Sequence, residues 1–133
     1  MVIPGLIEMH CHILPGVDDG SKDTETSVKM LRRLALQGAE TVVLTPHYYS
    51  DSISLADFTA RLNAAFANLQ AALPPDAPRL LLGAEVYVSR YLMNNADLTP
   101  ICITGTRCAL LEHNFSDNFG TETLDRITAL TCD

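Results

Sequence analysis

The sequence predicts an α/β fold of parallel strands joined by crossover helices. Three observations lead there. Short apolar or β-branched runs alternate with longer segments whose apolar residues recur at helical spacing. Turn residues punctuate these segments at regular intervals. The run at 79–85 is continuously apolar before its terminal glutamate, the pattern of a strand covered on both faces.

Each element has its own local signal. Residues 6–12 read as a strand, followed by a loop rich in Pro15, Gly16, Asp18, Asp19 and Gly20. A helix spans about 23–37, with Val28, Leu31, Leu34 and Ala35 on one face and Gly38 as its stop. Residues 41–45 form a short β-branched strand ending at Pro46. Ser54 and Asp57 make a capping box for a second helix, in which Phe58, Leu62, Ala65, Phe66, Leu69 and Leu73 recur before Pro74 and Pro75. The third strand is 79–85, and 87–95 reads as loop plus a short helix. Residues 101–103 and 108–112, joined by Thr104-Gly105-Thr106, form a predicted hairpin whose second arm is an interior strand. A last helix covers 121–130. The order βαβαβ, hairpin strand, α calls for a parallel sheet with right-handed crossovers.

A chain of 133 residues with 47% apolar and 19% charged residues can bury one core and is not globally disordered. Its formal charge of -7 lacks the basic surplus of a nucleic-acid or anionic-membrane binder, so those partners are not expected. No run is long enough to insert into a membrane, and the start MVIPGLIEMHCH lacks the basic and cleavage features of a secretion signal, so a cytoplasmic location is expected. The four cysteines form no CxxC pair and read as reduced thiols; the sequon at Asn114 carries no weight without secretion.

Chemistry concentrates at strand ends. His10 and His12 lie two apart on the first strand, so their imidazoles share a face, roughly 7 Å apart by strand rise. Cys11 between them points to the opposite face, toward helix packing. Asp18 and Asp19 follow that strand, His47 follows the second, Glu85 ends the third and Glu112 the fourth. In parallel sheets and barrels this is the edge where side chains from several strands converge on a ligand. Imidazoles and carboxylates without thiolates suit Zn, Mn or Fe, and their number points to more than one ion. Glu112 taken alone reads as a solvated strand end.

Rival chemistries lack their residues. Cys102 to Arg107 has one residue too few for a Cys-x5-Arg phosphatase loop, and Val17 stands where Cys11 would need its arginine. Hydrolase barrels with a carbamylated lysine need that lysine late in the sheet, but Lys22 and Lys29 lie in or beside the first helix. There is no GxSxG elbow and no GxxxxGK[ST] loop.

The strings IEMHCHILPGVDDGSKD, TVVLTPHYY, LLGAEVYV and CALLEHNF resemble the PHP (polymerase and histidinol phosphatase) family, most closely its bacterial protein-tyrosine phosphatases encoded with capsular and exopolysaccharide genes. The resemblance covers essentially the whole chain but only the N-terminal half of the family, so 1–133 is expected to be a partial PHP phosphatase domain. It implies a distorted (β/α)7 TIM-like barrel holding up to three divalent ions, often manganese, at the C-terminal mouth. Carried over residue by residue, it implies that His10, His12 and Glu85 bind one metal. Glu85 would bridge to a second, also held by Glu112, while Asp19 and His47 would hold the third. Asp18 matches a neighbouring position, and Glu8 stands where the subgroup usually has aspartate. The family's later His-Pro-Glu-Arg and Asp-x-His motifs, which supply further ligands and a substrate arginine, have no counterpart here.

The resemblance therefore implies metal-dependent hydrolysis of phosphotyrosine, by a hydroxide that the metals hold, on a tyrosine kinase controlling polysaccharide polymerisation. Tyr48 and Tyr49 could line the phenol-binding rim or simply pack. Two other readings stay open: a truncated, non-catalytic metal- or partner-binding remnant, and a phosphatase of small phosphomonoesters. A half barrel exposes sheet edges, which would favour a homo-oligomer.

Overall fold

The computed structural model describes residues 2–95, 97–113 and 120–131. Its elements are strands β1 (Leu6–Cys11), β2 (Ala39–Leu44), β3 (His47–Tyr48), β4 (Arg79–Leu82), β5 (Glu85–Tyr87) and β6 (Leu110–Glu112), and helices α1 (Thr24–Leu36), α2 (Leu55–Ala71) and α3 (Thr121–Thr131). Every strand pairing among the described residues is parallel. The order is β1-β2-β4 in one sheet and β3-β5-β6 in the other.

The two sheets are consecutive stretches of one strand layer. Pro46 has no N–H to donate, so the second predicted strand stops before it and resumes as β3. The third predicted strand breaks at Gly83 and Ala84 into β4 and β5. Hydrogen bonds carry the pairing across both breaks, from Gly83 N–H to Leu44 O at 2.9 Å and from Glu85 N–H to Pro46 O at 3.0 Å. The register then places His47 beside Glu85 and Tyr87 beside Glu112. These kinks set the site, because they re-aim the strand ends that carry its ligands.

Helices α1 and α2 form the crossovers. At the start of α1 the Asp23 side chain accepts from Thr26 N–H at 2.8 Å. Its end is enforced by Gly38, whose φ of +101° is open to glycine and whose added Cβ would sit 2.2 Å from Ile3 O. Ser54 caps α2 by accepting from Asp57 N–H at 3.1 Å. Leu31 from α1 and Phe58, Leu62 and Leu69 from α2 are buried against Val42, Leu44 and Val86 of the strands. Each such side chain contributes about 2 kcal/mol by leaving water.

The cap on α1 has a pH signature. Hydrogen bonding to Thr26 holds the Asp23 carboxyl below its ordinary 3.8. A lowered carboxylate pKa stabilises the fold above the ordinary value and loses that contribution as pH falls through the folded one. Asp23→Ala is therefore expected to be less stable than the native chain at neutral pH, with the gap shrinking below pH 3.8 in urea melts.

The predicted hairpin is not formed. Thr99–Ile101 is a 3₁₀ turn, consistent with Pro100 favouring a turn over an extended strand, and buried Ile101 and Ile103 plug the core. Thr104 N–H bonds to Leu82 O at 2.7 Å, and β6 pairs with β5. The short helix within 87–95 is a 3₁₀ turn at Leu92–Asn94. The sequon at Asn114 and Cys132 lie outside the described residues.

Candidate metal centre

The loop after β1 builds one wall of the site. Ile13 and Leu14 are buried in the core, and Ser27 of α1 donates to Ile13 O at 2.6 Å, so the loop is pinned from both sides. Gly20 packs directly against His12, just past the end of β1: a Cβ there would lie 2.1 Å from His12 O, which only glycine avoids. This contact presents Asp18 and Asp19 to the strand ends.

Asp18 organises rather than crowds the centre. Its Oδ2 accepts from His12 Nδ1 at 2.7 Å and from His47 N–H at 3.0 Å, while Oδ1 accepts from Gly20 N–H at 3.0 Å. Burial would raise this carboxyl, but the bonds from His12, Gly20 and His47 outweigh it and hold it below its ordinary value. An ionised Asp18 requires the proton on His12 Nδ1, which leaves the Nε2 lone pair aimed inward.

That lone pair meets others. His12 Nε2 lies 3.3 Å from His10 Nε2 and 3.2 Å from Glu85 Oε2. Glu85 Oε2 is also 2.9 Å from His10 Nε2 and 3.3 Å from His47 Nδ1. It is nevertheless buried without a hydrogen-bond partner, because none of the three nitrogens meets it with hydrogen-bond geometry. His47 Nδ1 further lies 3.1 Å from Glu112 Oε2, and its Nε2 lies 3.9 Å from the exposed Asp19. A proton can be shared between His12 Nε2 and His10 Nε2 and between His47 Nδ1 and Glu112 Oε2, but none reaches Glu85 Oε2. A buried carboxylate oxygen left unpaired among three imidazoles is offset by a cation, so the donor set fits divalent metal.

The predicted residues fall into three groups of mutually close ligand atoms: His10, His12 and Glu85; His12, Asp19 and His47; and His47, Glu85 and Glu112. His12, His47 and Glu85 each belong to two groups, so the groups share vertices. Cys11 is turned away as its position implied, packed against the core, and burial pushes its thiol up to about 12.

Two features escaped the sequence reading. Asp18 looks there like a spare neighbour of Asp19, yet it orients His12 and the His47 backbone; only its Asp-x-Gly spacing, typical of a side chain bonding its own loop, hinted at this. The aromatic pair also divides. Tyr48 is core, 4.7 Å from the Phe58 ring, whereas Tyr49 lies over His47 with ring centroids 5.3 Å apart. Burial, followed by the charge of Glu112 and the hydrogen bond the phenol gives it, pushes the Tyr49 hydroxyl up to about 12. Tyr49 is thus a neutral rim residue.

Parallel strands ending in shared imidazole and carboxylate ligands define an α/β protein with a candidate multinuclear metal centre. The chain belongs to the capsular polysaccharide synthesis CpsB/CapC family, whose model matches residues 6–130. It is similar to the tyrosine-protein phosphatase YwqE of Bacillus subtilis, with 46% identity over 43 residues, or 32% of this chain and 17% of that protein. The tyrosine-protein phosphatase CpsB of Streptococcus agalactiae is 24% identical over 115 residues, covering 86% of this chain and 47% of the relative. The chain thus spans about half the length of CpsB. Its fold matches a chain from the crystal structures of YwqE and of CpsB from Streptococcus pneumoniae, described as unique metal-dependent tyrosine phosphatases. That match has a TM-score of 0.66 and 23% identity over 95% of this chain and 51% of the other.

Proposed function

We propose that residues 1–133 form the N-terminal part of a PHP phosphatase domain that hydrolyses phosphotyrosine on a tyrosine kinase regulating capsular or exopolysaccharide synthesis. The observation that carries this reading is the buried, unpartnered Glu85 Oε2 at the meeting point of three imidazoles. Family membership and the names of the relatives support this reaction class. The ligands are His10, His12, Asp19, His47, Glu85 and Glu112, for up to three ions, with manganese the first choice and zinc or iron as alternatives. When bound, such cations polarise phosphate oxygens, lower the pKa of water and neutralise the leaving phenolate. Asp18 holds the His12 lone pair toward them, and Tyr49 packs against His47. A cytoplasmic location suits a kinase substrate, and no helix among the described residues is long and apolar enough to cross a membrane.

In this reading the strand layer is part of a TIM-like barrel. Strand β1 lies at the edge of its sheet, and Ile7 and Met9 are exposed on it. The same edge supports a second reading, a non-catalytic remnant that binds metal or a partner, or pairs with another copy. The test is to assay the 133-residue chain with manganese on a phosphotyrosine peptide and on a small phosphomonoester, beside His10→Ala. Turnover of the peptide that falls at least about 100-fold in His10→Ala supports the phosphatase. Metal uptake without turnover supports the remnant, and turnover of the small ester alone moves the substrate to that class.

A further inference from the structure

Beyond the metal ligands, β5 runs into a polar cleft of about 240 Å³ lined by Tyr87, Ser89, Arg90, Thr123 and Arg126, with Asp51 the acidic residue on its wall. Tyr87 follows Glu85 by two residues, so both side chains leave the strand on one face. The Tyr87 ring lies 5.8 Å from Tyr49, which lies 5.3 Å from His47, so two aromatic contacts join the cleft to the centre. The β6 register closes the connection, with Glu112 opposite Tyr87 and Val88 N–H bonded to Glu112 O at 3.0 Å.

The cleft concentrates guanidinium groups that the acidic chain holds in small number. The chain carries -7, yet two of its nine basic residues, Arg90 and Arg126, line this cleft; Asp51 is on its wall, and Glu122, open to solvent, pairs with Arg126. Arg90 donates to the Tyr91 hydroxyl at 2.7 Å and lies 4.8 Å over its ring, which fixes its plane. Arg126 has only 21% of its side chain exposed and pairs with the open Glu122. A guanidinium has five N–H donors, more than Tyr91 or Glu122 can accept, and its fork matches a carboxylate.

We propose that this cleft is a specificity subsite for an acidic side chain of the peptide substrate, read by Arg90 and Arg126, when phosphotyrosine occupies the metal centre. The inference rests on the phosphatase reading. The path from His47 through Tyr49 to Tyr87 is on the order of 10 Å, which an extended peptide covers in about three residues. The acidic residue therefore lies about three positions from the phosphotyrosine. Ser89 and Thr123 add hydroxyl donors on the cleft wall. Arg90 and Arg126 are specificity residues, remote from the reacting bond.

The test compares three phosphotyrosine peptides carrying glutamate, glutamine or a second phosphotyrosine about three positions to either side. Their binding to the manganese-loaded 133-residue chain is followed by fluorescence anisotropy, with turnover measured in parallel. The glutamate peptide is expected to bind about fivefold more tightly than the glutamine peptide. Arg90→Ala with Arg126→Ala should close that gap, with hydrolysis of p-nitrophenyl phosphate unchanged. Arg90→Glu with Arg126→Glu should reverse the preference, a result that a misfolded chain cannot produce. Equal binding of the glutamate and glutamine peptides, or a preference that survives both double variants, overturns the proposal. A gain confined to the doubly phosphorylated peptide overturns the carboxylate assignment. If the glutamate preference reverses as expected but no peptide is hydrolysed, the phosphatase reading fails and the cleft stands. Hydrolysis that is blind to the flanking residue does the opposite.

Discussion

Glutamine in place of Glu85 is expected to remove most of the stabilisation that manganese confers on the native chain. At a free-ion concentration about 100 times the dissociation constant, binding to the folded state adds about 2.7 kcal/mol. For a domain of this size that raises the melting temperature by about 8 °C. Glu85 Oε2 is shared by His10, His12 and His47, so its loss weakens two of the three ligand groups at once. An affinity loss of at least about 100-fold leaves a shift of about 1 °C at the same ion concentration. In chelator the sign changes. The native carboxylate oxygen is buried without a hydrogen bond, whereas a glutamine amide can donate to an imidazole nitrogen, so the variant should melt at the native temperature or above. Calorimetric melts with manganese and with chelator check both halves. A manganese-induced shift that persists in Glu85→Gln would remove this residue from the centre.

Asp18→Ala is expected to cost both stability and metal affinity, by separable routes. Removing the carboxylate strips a partner from His47 N–H, Gly20 N–H and the His12 ring. Two backbone donors left without partners cost about 1–3 kcal/mol each, less where water reaches them, so a loss of about 3 kcal/mol in chelator is expected. Freed from Asp18, His12 no longer has a fixed tautomer, and metal affinity should fall by about 10–100-fold. Asp18→Asn separates these effects. Its one carbonyl oxygen can keep the bonds from His12 and His47, while its amide nitrogen faces the Gly20 N–H and loses that bond. About half of the stability loss should return. Urea melts in chelator and calorimetric titration with manganese measure the two quantities; native affinity in Asp18→Ala would reduce Asp18 to a loop anchor.

The legible parts of the fold share one property, that their signals are local. Helix α1 is marked by Asp23 and Gly38 and α2 by Ser54, and both form within one to three residues of the predicted limits. The run at 79–85 marks a strand but not its break at Gly83, because periodicity carries no information about a kink. The segment 101–112 misleads for the same reason. Two apolar arms around a Thr-Gly-Thr turn satisfy hairpin spacing, but Pro100 turns the first arm and Leu82 takes the Thr104 amide, while β5 supplies the partner of β6. Which strand an arm pairs with is decided by the rest of the sheet.

The sequence by itself determined the α/β class, the helix limits and the types of ligand: imidazoles and carboxylates carried at the C-terminal ends of parallel strands. Tertiary structure alone decided that His12 and His47 are shared between ligand groups as Glu85 is, that Asp18 orients His12, and that Tyr48 enters the core while Tyr49 covers His47. The physical reason is range. A residue's propensity and its face on a strand depend on its immediate neighbours, whereas the meeting of His10 with Glu85, or of His47 with Glu112, depends on parallel register across separate strands.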